Sequence, residues 1–346
     1  MEFVVKITKR CNFACKYCSS TCLGQTTDLP FETLKPYLDR FKDEAHKDRE
    51  NNLILNGGDP LMIDPSYYMK VINYIKENNI PAHICFVSNM WDYYKNPEKW
   101  KEVFSEDCVS LSMSFEYGGQ RIPAGSNKPI DENYFLEVWN RIYKEYDYKI
   151  SFISVIGEET APYALKNVEL AKRLDTEVKM NAMVKLGRAS SYFPMYKMID
   201  IYMDIIKAGL QDYEYNCRQV AKIIKGIPSF SCGYNRECFK GLRCLHPDGK
   251  LFNCGWFADE NIQDGGIYEI PDYEKPIDFS KTKYFAIKPE CLACPMFTLC
   301  NGCFKRIRDI KESGDAEIHC QEMKKRMKEI YKVFGEAEFK DIKRCD

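Results

Sequence analysis

The chain has 346 residues, 45% of them hydrophobic and 14% aromatic, which is more length than one ordinary domain uses and ample material for a large core. Fifty Lys and Arg against 51 Asp and Glu give a formal net charge of −1, which lacks the basic excess of a dedicated nucleic-acid binder. No window approaches the ~18 continuous apolar residues of a membrane span, and the opening MEFVVKITKR lacks the features of a signal peptide, so no membrane partner and a cytoplasmic location are expected.

In chain order, apolar runs of strand length occupy 2–8, 52–56, 82–88, 108–115, 149–156 and 177–184. Between them lie stretches with the apolar spacing of amphipathic helices. The first is PFETLKPYLDRFKDEA, with Phe31, Leu34, Leu38 and Phe41 at three- and four-residue intervals; PSYYMKVINYIKENN follows, then segments near 131–146 and 162–174. Strands alternating with helices predict a parallel sheet with right-handed crossovers. Six such units before about residue 190 make either a doubly wound sheet or a partial barrel. From about 195 to 226 the pattern turns helical, as in FPMYKMIDIYMDIIKAGL and CRQVAKIIKG. Residues 228–320 are rich in Gly, Pro and Cys with few periodic runs, the pattern of a small metal-stapled domain. The closing QEMKKRMKEIYKVFGEAEF reads as a solvated terminal helix, its Lys/Arg run a wet face rather than a binding patch. The expected organisation is a barrel over 1–194, a helical linker over 195–227, a Cys-rich domain over 228–320 and a terminal helix and tail over 321–346.

Seventeen cysteines stand out. The number is odd and no export signal precedes them, so free, clustered thiols point to metal or iron–sulfur ligation rather than disulfides. They group at Cys11–Cys22, Cys232–Cys254 and Cys291–Cys320, while Cys85 and Cys108 sit in apolar runs and are expected as buried core thiols. Cys11, Cys15 and Cys18 fall within eight residues directly after the first strand. Three thiolates from one loop can hold three irons of a 4Fe–4S cube and leave the fourth iron open for chemistry. A structural zinc loop with Cys22 as fourth ligand is the alternative.

The spacing C-x3-C-x2-C, with Tyr17 just before the last Cys, resembles the radical S-adenosylmethionine (radical SAM) superfamily. That resemblance implies a partial (β/α)6 TIM-like barrel followed by a small Cys-rich iron–sulfur domain. It extends to NGGDPL after the second strand, similar to the family's Gly-Gly-Glu-Pro segment with Asp59 in the Glu place. By that likeness Gly57, Gly58 and Asp59 would bind the amino group of the SAM methionine; read by itself, GGDP is an ordinary turn. SMSFE, at the end of the fourth strand, stands where the family holds the SAM ribose and carboxylate, which makes Ser112, Ser114 and Glu116 candidates. Alternating polar residues at a strand end also suit a solvent-facing edge. KLGRAS follows the sixth strand, where related enzymes carry a similar Gly-Arg-Ala, and Arg188 could donate to a carboxylate; a surface turn with a salt-bridging Arg is the alternative.

The C-terminal cysteines resemble the SPASM domain, which carries two auxiliary 4Fe–4S clusters behind a radical SAM barrel. By motif order, Cys238, Cys244, Cys254 and Cys303 would hold one cluster and Cys291, Cys294, Cys300 and Cys320 the other. A zinc ribbon is the alternative. Three departures matter: Cys300 and Cys303 are two residues apart where three is usual, Cys232 repeats the x5 spacing ahead of Cys238, and Gly255 follows Cys254. The sulfatase-maturing branch keeps an Asp at that last position as a base, so its reaction is disfavoured. The resemblance implies three 4Fe–4S clusters and SAM as cofactors. It also implies a low-potential donor such as flavodoxin or ferredoxin. The expected reaction is oxidation or crosslinking of a ribosomally made peptide, with a separate peptide-recognition protein as a possible partner because the chain enters its first strand directly. A small-molecule substrate such as an aminocyclitol, dehydrogenated or epimerised, is the second reading; a non-catalytic, zinc-stapled interaction protein is the third.

Overall fold

The structure is a computed structural model that describes residues 2–20, 26–42, 51–227, 242–261, 267–268 and 286–340. Six parallel strands lie side by side in chain order: β1 (Glu2–Thr8), β2 (Asn52–Gly57), β3 (His83–Ser88), β4 (Val109–Ser114), β5 (Ser151–Ile156) and β6 (Val178–Ala182). Their connections carry α1 (Phe31–Asp39), α2 (Pro65–Glu77), α3 (Trp91–Lys95), α4 (Pro97–Phe104), α5 (Glu132–Tyr146) and α6 (Ala164–Arg173).

Period-two burial decides between the two architectures. Phe3, Val5 and Ile7 of β1, Leu53 and Leu55 of β2, Ile84 and Phe86 of β3 and Phe152 of β5 are fully buried. They meet helices on one face of the sheet, as in the Phe3–Tyr37, Tyr68–Phe86 and Phe135–Phe152 ring contacts at 5.5, 4.7 and 5.1 Å. Each such residue contributes ~1.5–3 kcal/mol by burial. The intervening Ile54, Asn56, Cys85, Val87, Ser151, Ile153, Lys179 and Asn181 face the other way and stay half-exposed. Helices on one face and a half-exposed face of mixed polarity on the other make a partial barrel, not a doubly wound sheet. Cys85 is therefore half-buried on the inner face, and Cys108, at the turn into β4, is also half-buried; neither is the fully buried core thiol expected from its apolar neighbours.

Caps place the outer helices where the sequence starts them. Asp64 accepts from Ser66 N at 3.0 Å ahead of Pro65, and Asp131 accepts from Tyr134 N at 3.0 Å; caps of this kind are worth ~0.5–2 kcal/mol each. α3 and α4 were not expected, because Asn96 and Pro97 break the apolar period between them.

After β6 come α7 (Met195–Lys207) and α8 (Tyr215–Ile224). Glu214 joins α8 to the barrel edge: its carboxylate accepts from Met180 N at 2.8 Å and caps α8 at Cys217 N. Burial pushes it up to about 7 despite those bonds. The chain then returns to the other edge. β7 (Leu242–Leu245) pairs parallel with β1, with Val4 opposite Cys244, and β8 (Leu251–Phe252) and β9 (Ile267–Tyr268) continue antiparallel. Among the described residues the result is one nine-stranded sheet in which β7, β8 and β9 extend the barrel edge at β1. α9 (Gly255–Glu260), α10 (Phe297–Cys300), α11 (Phe304–Glu312) and α12 (Ala316–Glu336) complete the chain. α12 is more than a wet face: Met323, Ile330 and Phe334 are buried, and Arg326–Asp200 and Lys207–Glu329 pairs at 2.7 Å fasten it to α7.

Candidate active site

Beyond Thr8 the chain crosses the C-terminal ends of the strands as an extended stretch. Ala14 N donates to Ile122 O at 2.7 Å, Lys16 N to Gln120 O at 3.1 Å and Ala124 N to Asn12 O at 2.8 Å, so Cys11, Cys15 and Cys18 ride on a paired backbone. Two glycine turns clamp it. Gly58 N donates to Thr8 O at 2.8 Å and Asp59 N to Arg10 O at 2.9 Å; a Cβ at Gly58 would lie 1.9 Å from Arg10 O. On the far side Arg188 N donates to Cys18 O at 2.9 Å, and Gly187, at φ +64°, comes so close that its Cβ would lie 2.4 Å from the same oxygen. Both GGD and GRA thus hold the cysteine loop through backbone that only glycine allows. The Arg188 side chain itself is exposed.

The three thiols are half-buried. Burial pushes the Cys11 thiol up, reinforced by Asp59 and by Cys15 and Cys18 and opposed by Phe13 N–H; burial lifts Cys15 to about 11 while Arg121 counters it. Thiols that resist ionisation alone, yet lie within electrostatic reach of one another, suit a cationic metal group that replaces their protons.

Beside Cys15 stands a trio of half-buried Tyr17 with buried Glu116 and Arg121. Tyr17 Oη donates to Glu116 Oε1 at 2.5 Å, and Arg121 Nε donates to Glu116 Oε2 at 2.8 Å with its guanidinium 5.5 Å from the centre of the Tyr17 ring. Val155 N donates to the same oxygen at 3.2 Å and Arg121 also reaches Ile153 O at 3.3 Å. Arg121 has no counterpart in the sequence reading: it stands seven residues past the strand end, in GGQRIP, where no spacing marks it. Ser112 and Ser114 lie on the inner face of β4, Ser112 buried and hydrogen-bonded to Ser151 Oγ at 3.1 Å, Ser114 half-buried.

Asp59 is almost wholly buried, and protein donors occupy its carboxylate: Leu61 N at 2.9 Å, Ser88 Oγ at 2.9 Å and Asn89 N at 2.7 Å. Burial outweighs these bonds and lifts it to about 6. The carboxylate expected at an ammonium instead ties the GGD turn to the turn after β3. In that turn Met90 adopts φ 62°, and Asn89 Nδ2 donates to Asn12 Oδ1 at 2.8 Å in the cysteine loop. Removing it strands two buried N–H groups at ~1–3 kcal/mol each. Asp59→Ala is therefore expected to lower the unfolding free energy by about 2–6 kcal/mol and to loosen iron retention, as denaturant melts and iron analysis will read. Unchanged stability with weakened SAM binding would return the carboxylate to the ligand.

In the C-terminal region Cys291, Cys294, Cys300 and Cys320 come together: burial raises the Cys300 thiol, and Cys294, Cys291 and Cys320 each push it further. Cys291 lies in a 3-10 turn (Pro289–Ala293), Cys300 closes α10 and Cys320 sits in α12. Cys244 is buried on β7, Cys254 starts α9 and Cys303 starts α11. Cys22, Cys232 and Cys238 lie outside the described residues. Among the described residues no three His, Cys, Asp or Glu side chains close on a point as ligands of a single ion do; a cube carries its thiolates on separate irons and takes a wider set.

The model of the radical SAM superfamily matches residues 5–171. The chain carries a radical SAM domain over these residues. Over 91% of its length, and 91% of the relative's, it is 23% identical to a cysteine-type anaerobic sulfatase-maturating enzyme of Clostridium perfringens (strain 13 / Type A). In fold the chain matches native anSMEcpe with bound AdoMet at TM-score 0.70 and 17% identity, covering 97% of this chain and 99% of that one. The Streptococcus suis SuiB structure bound to precursor peptide SuiA matches at TM-score 0.62 and 12% identity, covering 88% of this chain and 72% of that one. The radical SAM domain and the likeness to a sulfatase-maturating enzyme support an iron–sulfur enzyme over the non-catalytic interaction protein. No helix among the described residues is long and apolar enough to cross a membrane.

Proposed function

We propose that this radical SAM enzyme oxidises or crosslinks a residue of a peptide, with one SAM-binding 4Fe–4S cluster on Cys11, Cys15 and Cys18 and two auxiliary clusters in a SPASM-like C-terminal region. Bound there, cluster and SAM supply a 5′-deoxyadenosyl radical able to take hydrogen from an inert C–H bond. The observation that carries the reading is the four-thiol group of Cys291, Cys294, Cys300 and Cys320, joined to a barrel whose inner face is half-exposed. The likeness to peptide-acting relatives runs through both parts: anSMEcpe was solved with a Cp18Cys peptide, and SuiB with its precursor peptide.

The chain's own residues divide the work. Gly57, Gly58 and Gly187 hold the thiol loop at the barrel mouth, and the Glu116–Arg121 pair fixes Tyr17 behind Cys15. Ser112, Ser114, Glu116 and Arg188 remain the proposed SAM contacts, and Cys238, Cys244, Cys254 and Cys303 the proposed ligands of the other auxiliary cluster. Gly255 offers no carboxylate after Cys254, so the relative's sulfatase reaction is not carried over whole. Reducing electrons are proposed to come from a flavodoxin or ferredoxin. The test is anaerobic turnover against a library of Cys-, Ser- and Tyr-containing peptides, read by mass spectrometry, with aminocyclitols in parallel. The expected product is a peptide that has lost two hydrogens; turnover of the aminocyclitols alone would replace the peptide reading with the small-molecule one.

A further inference from the structure

Lysine is almost never buried unless it is paired, yet Lys6 is 5% exposed on the inner face of β1, between Val4 and Thr8. Its ammonium lies 2.8 Å from Asp259 Oδ1 of α9 and 3.3 Å from Ser20 Oγ, two residues past Cys18. Ser20 Oγ donates in turn to Asp259 at 2.9 and 3.0 Å, and Ser19 Oγ lies 3.4 Å from the same carboxylate. A Cβ at Gly255 would meet Lys6 Cε at 3.5 Å and Nζ at 3.8 Å, so the ammonium rests against the backbone directly after Cys254. The β1–β7 register sets Cys244 beside Val4, one inward-facing step from Lys6. The ammonium thus stands where the cysteine loop, β7 and α9 meet.

We propose that Lys6 is a positioning residue that ties the Cys11–Cys18 loop to the Cys254 helix and makes the group held by Cys244 and Cys254 easier to reduce. The inference rests on the auxiliary ligand set proposed above. Net charge near an iron–sulfur group sets its potential, and a poorly solvated interior strengthens the effect. Asp259 shares this charge, but it is the Lys6 side chain that lies against the backbone directly after Cys254. The electron concerned leaves the substrate radical, whose proton passes to water, and reduces the auxiliary group by one.

The test is an EPR-monitored redox titration of the reconstituted holoenzyme, with iron content measured on each sample. Lys6→Met is expected to shift the reduction equilibrium of the auxiliary signal at least tenfold toward the oxidised form, 59 mV for one electron. Lys6→Arg, which keeps the charge, is expected to restore it. Should the Met variant fail to assemble, Lys6→Gln carries the same loss of charge with a donor still facing Asp259. A wild-type potential in the Met or Gln variant, or equal loss in the Arg variant, would overturn the proposal. Cys254→Ala separates the two claims, since full iron and an unaltered signal in that variant would remove the ligand set itself.

Discussion

Replacing Cys11, Cys15 and Cys18 together by Ala is expected to remove about four of about twelve irons and to abolish cleavage of SAM. The loop should survive the change, because main-chain bonds hold it: Ala14 to Ile122, Lys16 to Gln120, Gly58 to Thr8 and Arg188 to Cys18. None of these bonds uses a thiol. Tyr17, hydrogen-bonded to the buried Glu116–Arg121 pair, keeps the wall behind Cys15 in place. The triple variant is therefore expected to stay folded with the remaining irons on the C-terminal cysteines, as iron analysis and circular dichroism will show. SAM cleavage that persists in a folded triple variant would place the chemistry on another cysteine set.

The second large effect concerns coupling. Cys254→Ala with Cys303→Ala is expected to leave 5′-deoxyadenosine forming while oxidised product falls by an order of magnitude or more. Cys254 and Cys303 stand at the N-caps of α9 and α11, and the Cys303 thiol faces the N–H groups of Lys305 and Arg306, so the substitutions remove at most a weak thiol cap. α11 is further held by the buried Lys305–Asp309 pair at 2.7 Å and the Lys305–Glu260 pair at 3.0 Å. If the thiols only fold the region, metal loss and unfolding are one event, and limited proteolysis will open the C-terminal segment as product is lost. If they serve electron removal, the variant stays protease-resistant while product and SAM consumption separate. Full product from a folded variant would end the electron-acceptor role.

The parts of the molecule that were legible in the sequence are those written in local periods. All six barrel strands lie within about two residues of their apolar runs, because an inward-polar, outward-apolar strand alternates whatever surrounds it. The cysteine spacings were legible for the same local reason. What pairs over distance was not. Nothing in KITKR marks Lys6 for Asp259, since the contact exists only once β7 has added to β1; Ser20 and Asp259, which share it, are 239 residues apart. The likeness sets Asp59 at the amino group of SAM, whereas its carboxylate meets the turn after β3, a direction set by the crossing of two connections. Arg121 escaped notice because a single Arg in a loop has no period to betray it.

The central claim is that the loop of Cys11, Cys15 and Cys18 arms SAM for radical chemistry. Its most direct test is anaerobic reconstitution of the full chain with iron and sulfide, reduction with dithionite in the presence of SAM, and chromatography for 5′-deoxyadenosine. The account predicts 5′-deoxyadenosine and methionine in equal amounts, dependent on the reductant and absent from the triple Ala variant. Reconstituted protein that carries its irons and leaves SAM intact would contradict it.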